Sequence, residues 1–115
     1  MREWLKPGTH INAMGANAPS RRELDPQIVL QASLKVTDDV EQAKTEAAEL
    51  IDLAAAGQLD WNDLIPLHRI VGSPDFRRDQ DGITLFKSLG IGLEDLAIAS
   101  LLYDRAVASG RFKPL

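Results

Sequence analysis

Few side chains in this sequence can do chemistry, and their spacing limits what they could do together. Cysteine is absent, which rules out a disulfide framework and a thiolate metal site. The two histidines, His10 and His68, lie far apart in different contexts, so a metal centre would rest mostly on carboxylates, and none is expected. His10 stands inside an apolar run, the usual setting of a hydrogen-bonded core histidine. His68, between Leu67 and Arg69, reads as a solvated helix residue. Asp38-Asp39 could form a carboxylate pair for acid/base work, but capping of the following helix explains the pair without chemistry. Ser88 has no histidine or lysine arranged beside it as a base, so a nucleophilic serine is not supported. By composition Arg21-Arg22 is a solvated loop pair. Gly90-Ile91-Gly92 is a G-x-G without a third glycine and reads as a hinge before a helix rather than a phosphate loop.

The elements that must position these groups come from a chain of 115 residues, one domain or part of one. With 44% hydrophobic and 26% charged residues its composition is globular. The 17 acidic residues outnumber the 13 basic ones, and no basic run exceeds two residues, so nucleic acid is not an expected partner. The amino terminus lacks an apolar stretch long enough for a signal peptide, and no segment approaches 18 apolar residues, so the expectation is a cytoplasmic protein with no membrane contact.

Lys6-Pro7-Gly8 signals a turn. His10-Ile11-Asn12-Ala13-Met14 then reads as a short strand opening into a loop at Gly15-Ala16-Asn17. Asp25 before Pro26 starts a short helix to about Ala32. Leu34–Thr37 is the next strand candidate, and Asp38 with Glu41 resembles a capping box for a helix from Val40 to Ala55. That helix has one apolar stripe of Val40, Ala43, Ala47, Leu50, Ile51 and Ala54, and Gly57 ends it. A second helix is predicted from Trp61 to Val71 with Asp60 as cap and Gly72 as terminator. Residues 73–82 form an exposed loop, Ile83–Phe86 a third strand, and Leu93–Ser109 the last helix, closed by Gly110. Strands alternating with covering helices imply an α/β fold with a parallel sheet.

From Leu96 to Tyr103 the last helix carries no charge for more than two turns, so apolar side chains occupy nearly its whole circumference. Such a helix must be covered on more than one side. Three short strands and small helices offer too little surface for that, which implies a further domain or a second subunit.

Two blocks of sequence carry a resemblance. Leu5–Asn17, with Pro19 and Arg22-Glu23-Leu24-Asp25, is similar to the last strand and loop of the cofactor domain in the ornithine cyclodeaminase/mu-crystallin family. Ile83–Gly90 with Leu93-Glu94-Asp95 is similar to the segment where that family's chain passes to its substrate and dimer domain. The resemblance implies a partial Rossmann-like parallel sheet. Residues 1–82 would be the carboxy-terminal part of an NAD(P)-binding domain, and 83–115 the return to the substrate and dimerisation domain. It also implies NAD or NADP as cofactor, an amino, keto or imino acid as substrate, and a homodimer through the Leu96–Tyr103 helix. Met14, Gly15, Ala16, Arg21 and Ser88 would lie at the cofactor, and Asn17 and Leu89 at the substrate.

The sequence departs from that family in two places. Asn17 stands where the cyclodeaminases and related alanine dehydrogenases carry an aspartate thought to act as acid/base. An amide cannot accept and return a proton at neutral pH, so a reductase or dehydrogenase is favoured over a cyclodeaminase. The glycine-rich dinucleotide fingerprint expected upstream is absent, so the chain is expected to be a carboxy-terminal segment, inactive alone and unable to bind the cofactor tightly. The alternative is a self-standing dimerisation or binding module derived from the same fold.

Overall fold

The computed structural model describes residues 4–110. Four parallel strands form one sheet: β1 His10–Ala13, β2 Leu34–Thr37, β3 Leu64–Pro66 and β4 Thr84–Lys87, in the order β1-β4-β2-β3. The last strand in the chain thus lies at the centre, with His10 and Leu34 both level with Thr84. The expected division at residue 82 therefore falls within the sheet, because β4 joins β1 to β2.

Side-chain alternation sorts the strands into two faces. Ile11, Lys35, Leu64 and Leu85 share the face that carries the helices. There the core gathers Ala13, Leu64 and Leu85 with Val29, Ala43 and Leu50 from the helices. On the opposite face Leu34, Val36 and Phe86, with Leu67, Ile70 and Phe76, line an open apolar groove.

Helix α1, Pro26–Gln31, starts as expected: Asp25 accepts from the Gln27 N–H at 2.9 Å, and proline occupies the first helical position. The predicted helix from Val40 to Ala55 is two helices, α2 Val40–Glu46 and α3 Ala48–Ala55, broken at Ala47. The Thr45 hydroxyl donates to the Gln42 carbonyl at 2.9 Å, a local bond that bends helices. The break lets four consecutive residues, Ala47, Ala48, Glu49 and Leu50, all be buried, which a straight helix with a single apolar stripe would not allow.

The predicted helix from Trp61 to Val71 is overturned. Its place is taken by a 3₁₀ turn at Trp61–Asp63, strand β3, and a short helix α4, Leu67–Val71. Pro66 would break a helix interior, but on an edge strand its missing N–H costs little. Pairing with β2 makes use of Leu64 and Ile65 as strand residues. The sheet therefore has four strands, not three. Asp38 is also corrected: the cap of α2 is Asp39, whose carboxylate accepts from the Gln42 N–H at 2.8 Å.

Helix α5, Gly92–Ala108, matches its predicted span, and none of its residues is buried. Leu96 is 67% and Leu102 60% exposed. It extends away from the sheet, which helps to explain a radius of gyration of 17.3 Å, against about 13 Å for a compact chain of this length. No helix among the described residues is long and apolar enough to cross a membrane.

Candidate functional site

Parallel strands all end on the same edge of a sheet, so the loops that follow β1 and β4 emerge side by side. The Ser88 N–H donates to the Ala13 carbonyl at 2.9 Å, tying the two loops at their base. The sequence-predicted residues Met14, Gly15, Ala16 and Asn17 lie in the first loop, and Ser88 and Leu89 in the second. The fold therefore brings together all of these except Arg21, which follows on an exposed stretch where its own N–H bonds the Ala18 carbonyl. Met14 and Asn17 are exposed at the loop surface, whereas Ala16 and Leu89 are each 5% exposed. The Leu89 side chain belongs to the core cluster.

A carboxylate holds each loop, buried in the case of Asp38 and half-buried in that of Glu23. Asp38, at the end of β2, accepts from the Ser88 hydroxyl, the Leu89 N–H and the Gly90 N–H, each at 2.9 Å. Burial alone would raise its pKa, but these donors outweigh that effect and hold the carboxyl below its ordinary value. The adjacent Gly90 takes a positive φ of 78°, which lets the chain turn sharply under the carboxylate. The Ser88 hydroxyl is thus held in place by an ionised carboxylate too weakly basic to activate it as a nucleophile.

Glu23 does the same for the first loop. Its carboxylate accepts from the Gly15 N–H at 2.6 Å and the Ala16 N–H at 3.1 Å, and it is ion-paired with Lys87. Burial opposes the charged form of Glu23 as well, yet the Lys87 ammonium and the two N–H groups prevail and lower its pKa. A Cβ on Gly15 would stand 2.8 Å from this carboxylate, so glycine lets the acid reach two successive amides.

Sequence reasoning missed Glu23, Lys87 and Glu49 and gave Asp38 the wrong partner. The signal for Lys87 was strand parity: two residues beyond the inward Leu85, it must face the helices. Glu49 carries a comparable signal, standing between Ala48 and Leu50 in a run that folds inward. His10 is exposed, not a core residue, although it is hydrogen-bonded, with Nδ1 2.7 Å from the Thr84 hydroxyl and Nε2 3.1 Å from Asn12 Oδ1. His68 is exposed, and Arg22 pairs with Asp52 at 2.6 Å.

The arrangement has a definite donor set. Glu23 occupies the Gly15 and Ala16 amides, so this loop offers neither of those N–H groups to a phosphate and sets a carboxylate beside them. What it presents outward is the side chains of Met14 and Asn17.

An open parallel α/β sheet with two loops side by side at its carboxyl edge places the chain in the class of α/β folds that seat their ligands at that edge. Within that class, residues 1–110 match the family model of the ornithine cyclodeaminase/mu-crystallin family, and the chain belongs to that family. It is 39% identical to mouse ketimine reductase mu-crystallin over 89% of its own length and 30% of the relative's. Among solved structures it is similar to Thermococcus litoralis Δ(1)-pyrroline-2-carboxylate reductase in complex with NADH and L-proline, with a TM-score of 0.81, 34% identity, and coverage of 94% of this chain and 34% of that one. It is also similar to an archaeal alanine dehydrogenase dimer with bound NAD, with a TM-score of 0.76, 34% identity, and coverage of 94% and 34%. The chain spans about a third of the length of the curated relatives it matches.

Proposed function

We propose that this chain supplies the nicotinamide end of the cofactor site and one wall of the substrate pocket in an NAD(P)-dependent reductase or dehydrogenase of amino, keto or imino acids. The carrying observation is the pair of loops clamped together at the carboxyl ends of β1 and β4. In this reading Met14, Gly15, Ala16, Arg21 and Ser88 lie against the cofactor, with Asn17 and Leu89 on the substrate side. The chemistry such a cofactor supplies when bound is hydride transfer. The protein's part is to orient, to exclude water and to place hydrogen bonds. Asn17, an amide, can orient a substrate but cannot shuttle its proton, which favours reduction or dehydrogenation over cyclodeamination.

Residues 1–82 then serve the cofactor domain and 83–115 the passage to the substrate and dimer domain, with β4 shared between them. Covering the exposed part of Leu96, Ile98, Leu101 and Leu102 of α5, which are 51–67% exposed, would contribute roughly 4–7 kcal/mol before the cost of association, at about 1.5–3 kcal/mol for each side chain fully buried. A homodimer through α5 is the assembly proposed. With no phosphate-binding fingerprint in this stretch, the chain alone is expected to be inactive.

Two measurements test this. Titration of the purified chain with NADH, read by Trp4 and Trp61 fluorescence, should show no tight binding and no turnover of a ketimine or 2-keto acid; micromolar binding with turnover would overturn the inactivity. A chimera in which this chain replaces the matching third of the Thermococcus reductase should bind NADH. A folded chimera that does not would overturn the site assignment. The self-standing dimerisation module is the second reading, favoured by the exposed α5 alone, and an inert chimera with a stably dimeric chain would select it.

A further inference from the structure

Lys87 is a deeply buried charged side chain next to the site, 1% exposed and on the helix face at the last position of β4. Strand register sets it level with Ala13 on one side and Thr37 on the other, directly beneath the loop that follows β1. Its ammonium donates to the Ala16 carbonyl at 2.5 Å and pairs with Glu23, and on the helix side Glu49 Oε1 lies 3.5 Å away. Both Glu49 carboxyl oxygens are buried without a hydrogen-bond partner.

Stability does not account for this cluster. A buried ion pair seldom improves on apolar residues of the same size, because desolvating the charges offsets their attraction. A methionine at 87 and a leucine at 49 would fill the same space. What only an ammonium supplies here is a fixed point for two acceptors on the loop, the Ala16 carbonyl and the carboxylate that binds the Gly15 and Ala16 amides. We propose that Lys87 is a positioning residue: held at the end of β4, it locks Glu23 and the Ala16 carbonyl, and so sets the path of Gly15-Ala16-Asn17 relative to Ser88, its own neighbour. The contribution to function rests on the loop being part of the cofactor and substrate site; the locking itself does not.

The test reads the loop directly in the full chain by amide hydrogen exchange, with the Leu85 amide as the measure of global opening. Glu49→Leu should leave the Gly15 and Ala16 amides within about twofold of the parent, relative to Leu85. Lys87→Met combined with Glu49→Leu avoids stranding a buried charge and should speed both loop amides at least about tenfold on the same scale, equivalent to about 1.4 kcal/mol of local opening. A purely structural role would move the loop and Leu85 amides together, and that result overturns the proposal. If the double variant does not fold, the ¹⁵N signal of the Lys87 ammonium in the parent decides. Slow solvent exchange with contacts to Ala16 supports the lock, and exchange as fast as that of a surface lysine overturns it. Because no cofactor is present, failure here is separate from failure of the chimera to bind NADH.

Discussion

Replacing Asp38 by asparagine isolates the clamp on the second loop. The substitution keeps size and shape but removes the charge and turns one of two acceptor oxygens into a donor. Asp38 Oδ2 accepts from Ser88, Leu89 and Gly90, and Oδ1 lies 3.2 Å from the Thr37 hydroxyl. Gly90 is exposed and Ser88 half-buried, so water can replace their bonds, but Leu89 is 5% exposed, and its N–H keeps an acceptor only where the amide oxygen takes the Oδ2 place, and then a neutral one. A hydrogen bond to a charged group contributes about 1.5–3 kcal/mol, and one deeply buried donor left unpaired costs a similar amount. The expected loss at pH 7 is therefore about 2–3 kcal/mol, a fall of about 1 M or more in the urea midpoint for a chain of this size.

The same variant makes a prediction about pH. In the unfolded chain Asp38 titrates near its ordinary value of 3.8, and in the folded chain it titrates lower. Ionised Asp38 therefore favours the fold fully above pH 3.8, and that contribution is lost as pH falls from 3.8 through the lowered native value. Asparagine does not titrate, so the gap between parent and variant must narrow over that window. Urea melts at a series of pH values measure it. A difference below about 0.5 kcal/mol at pH 7, the range typical of surface substitutions, or a gap that does not close in acid, would refute the clamp.

Two further outcomes are expected. In an enzyme that contains this segment, Asn17→Asp should leave cofactor affinity nearly intact and add a titrating limb to the kcat/KM profile; an unaltered profile would remove acid/base relevance from this position. For α5, sedimentation of the parent chain should show concentration-dependent self-association that Ile98→Glu with Leu101→Lys abolishes, whereas a monodisperse parent monomer with no ANS binding leaves the helix without the proposed partner.

What could be read in advance follows from which interactions are local. The start of α1 depends on Asp25 and Pro26 alone, and the span of α5 on an uninterrupted run of helix formers, so both were legible. β3 depends on a distant partner: Leu64 and Ile65 become strand only because β2 offers an edge, and the local pattern from Trp61 to Val71 fits a helix as well. Pro66 was the one local objection to that helix. The loops of the site were placed because the two sequence blocks that carry the resemblance end in them, but what holds them was not. Asp38 and Asp39 are equivalent as caps on paper, and only the arrival of the Ser88–Gly90 loop separates their roles.

That division bears on how the site is built. The outward side chains of the first loop, Met14 and Asn17, make few demands on the core. The inward ones, Glu23, Lys87, Glu49 and Asp38, are charges placed in or near an apolar core, a costly position that only a definite geometric task explains. Both clamps act on backbone N–H groups, and the first also holds a carbonyl, so each fixes the path of a loop whatever side chains that loop displays. A fold that holds its loops from beneath can change the side chains above them without losing their geometry.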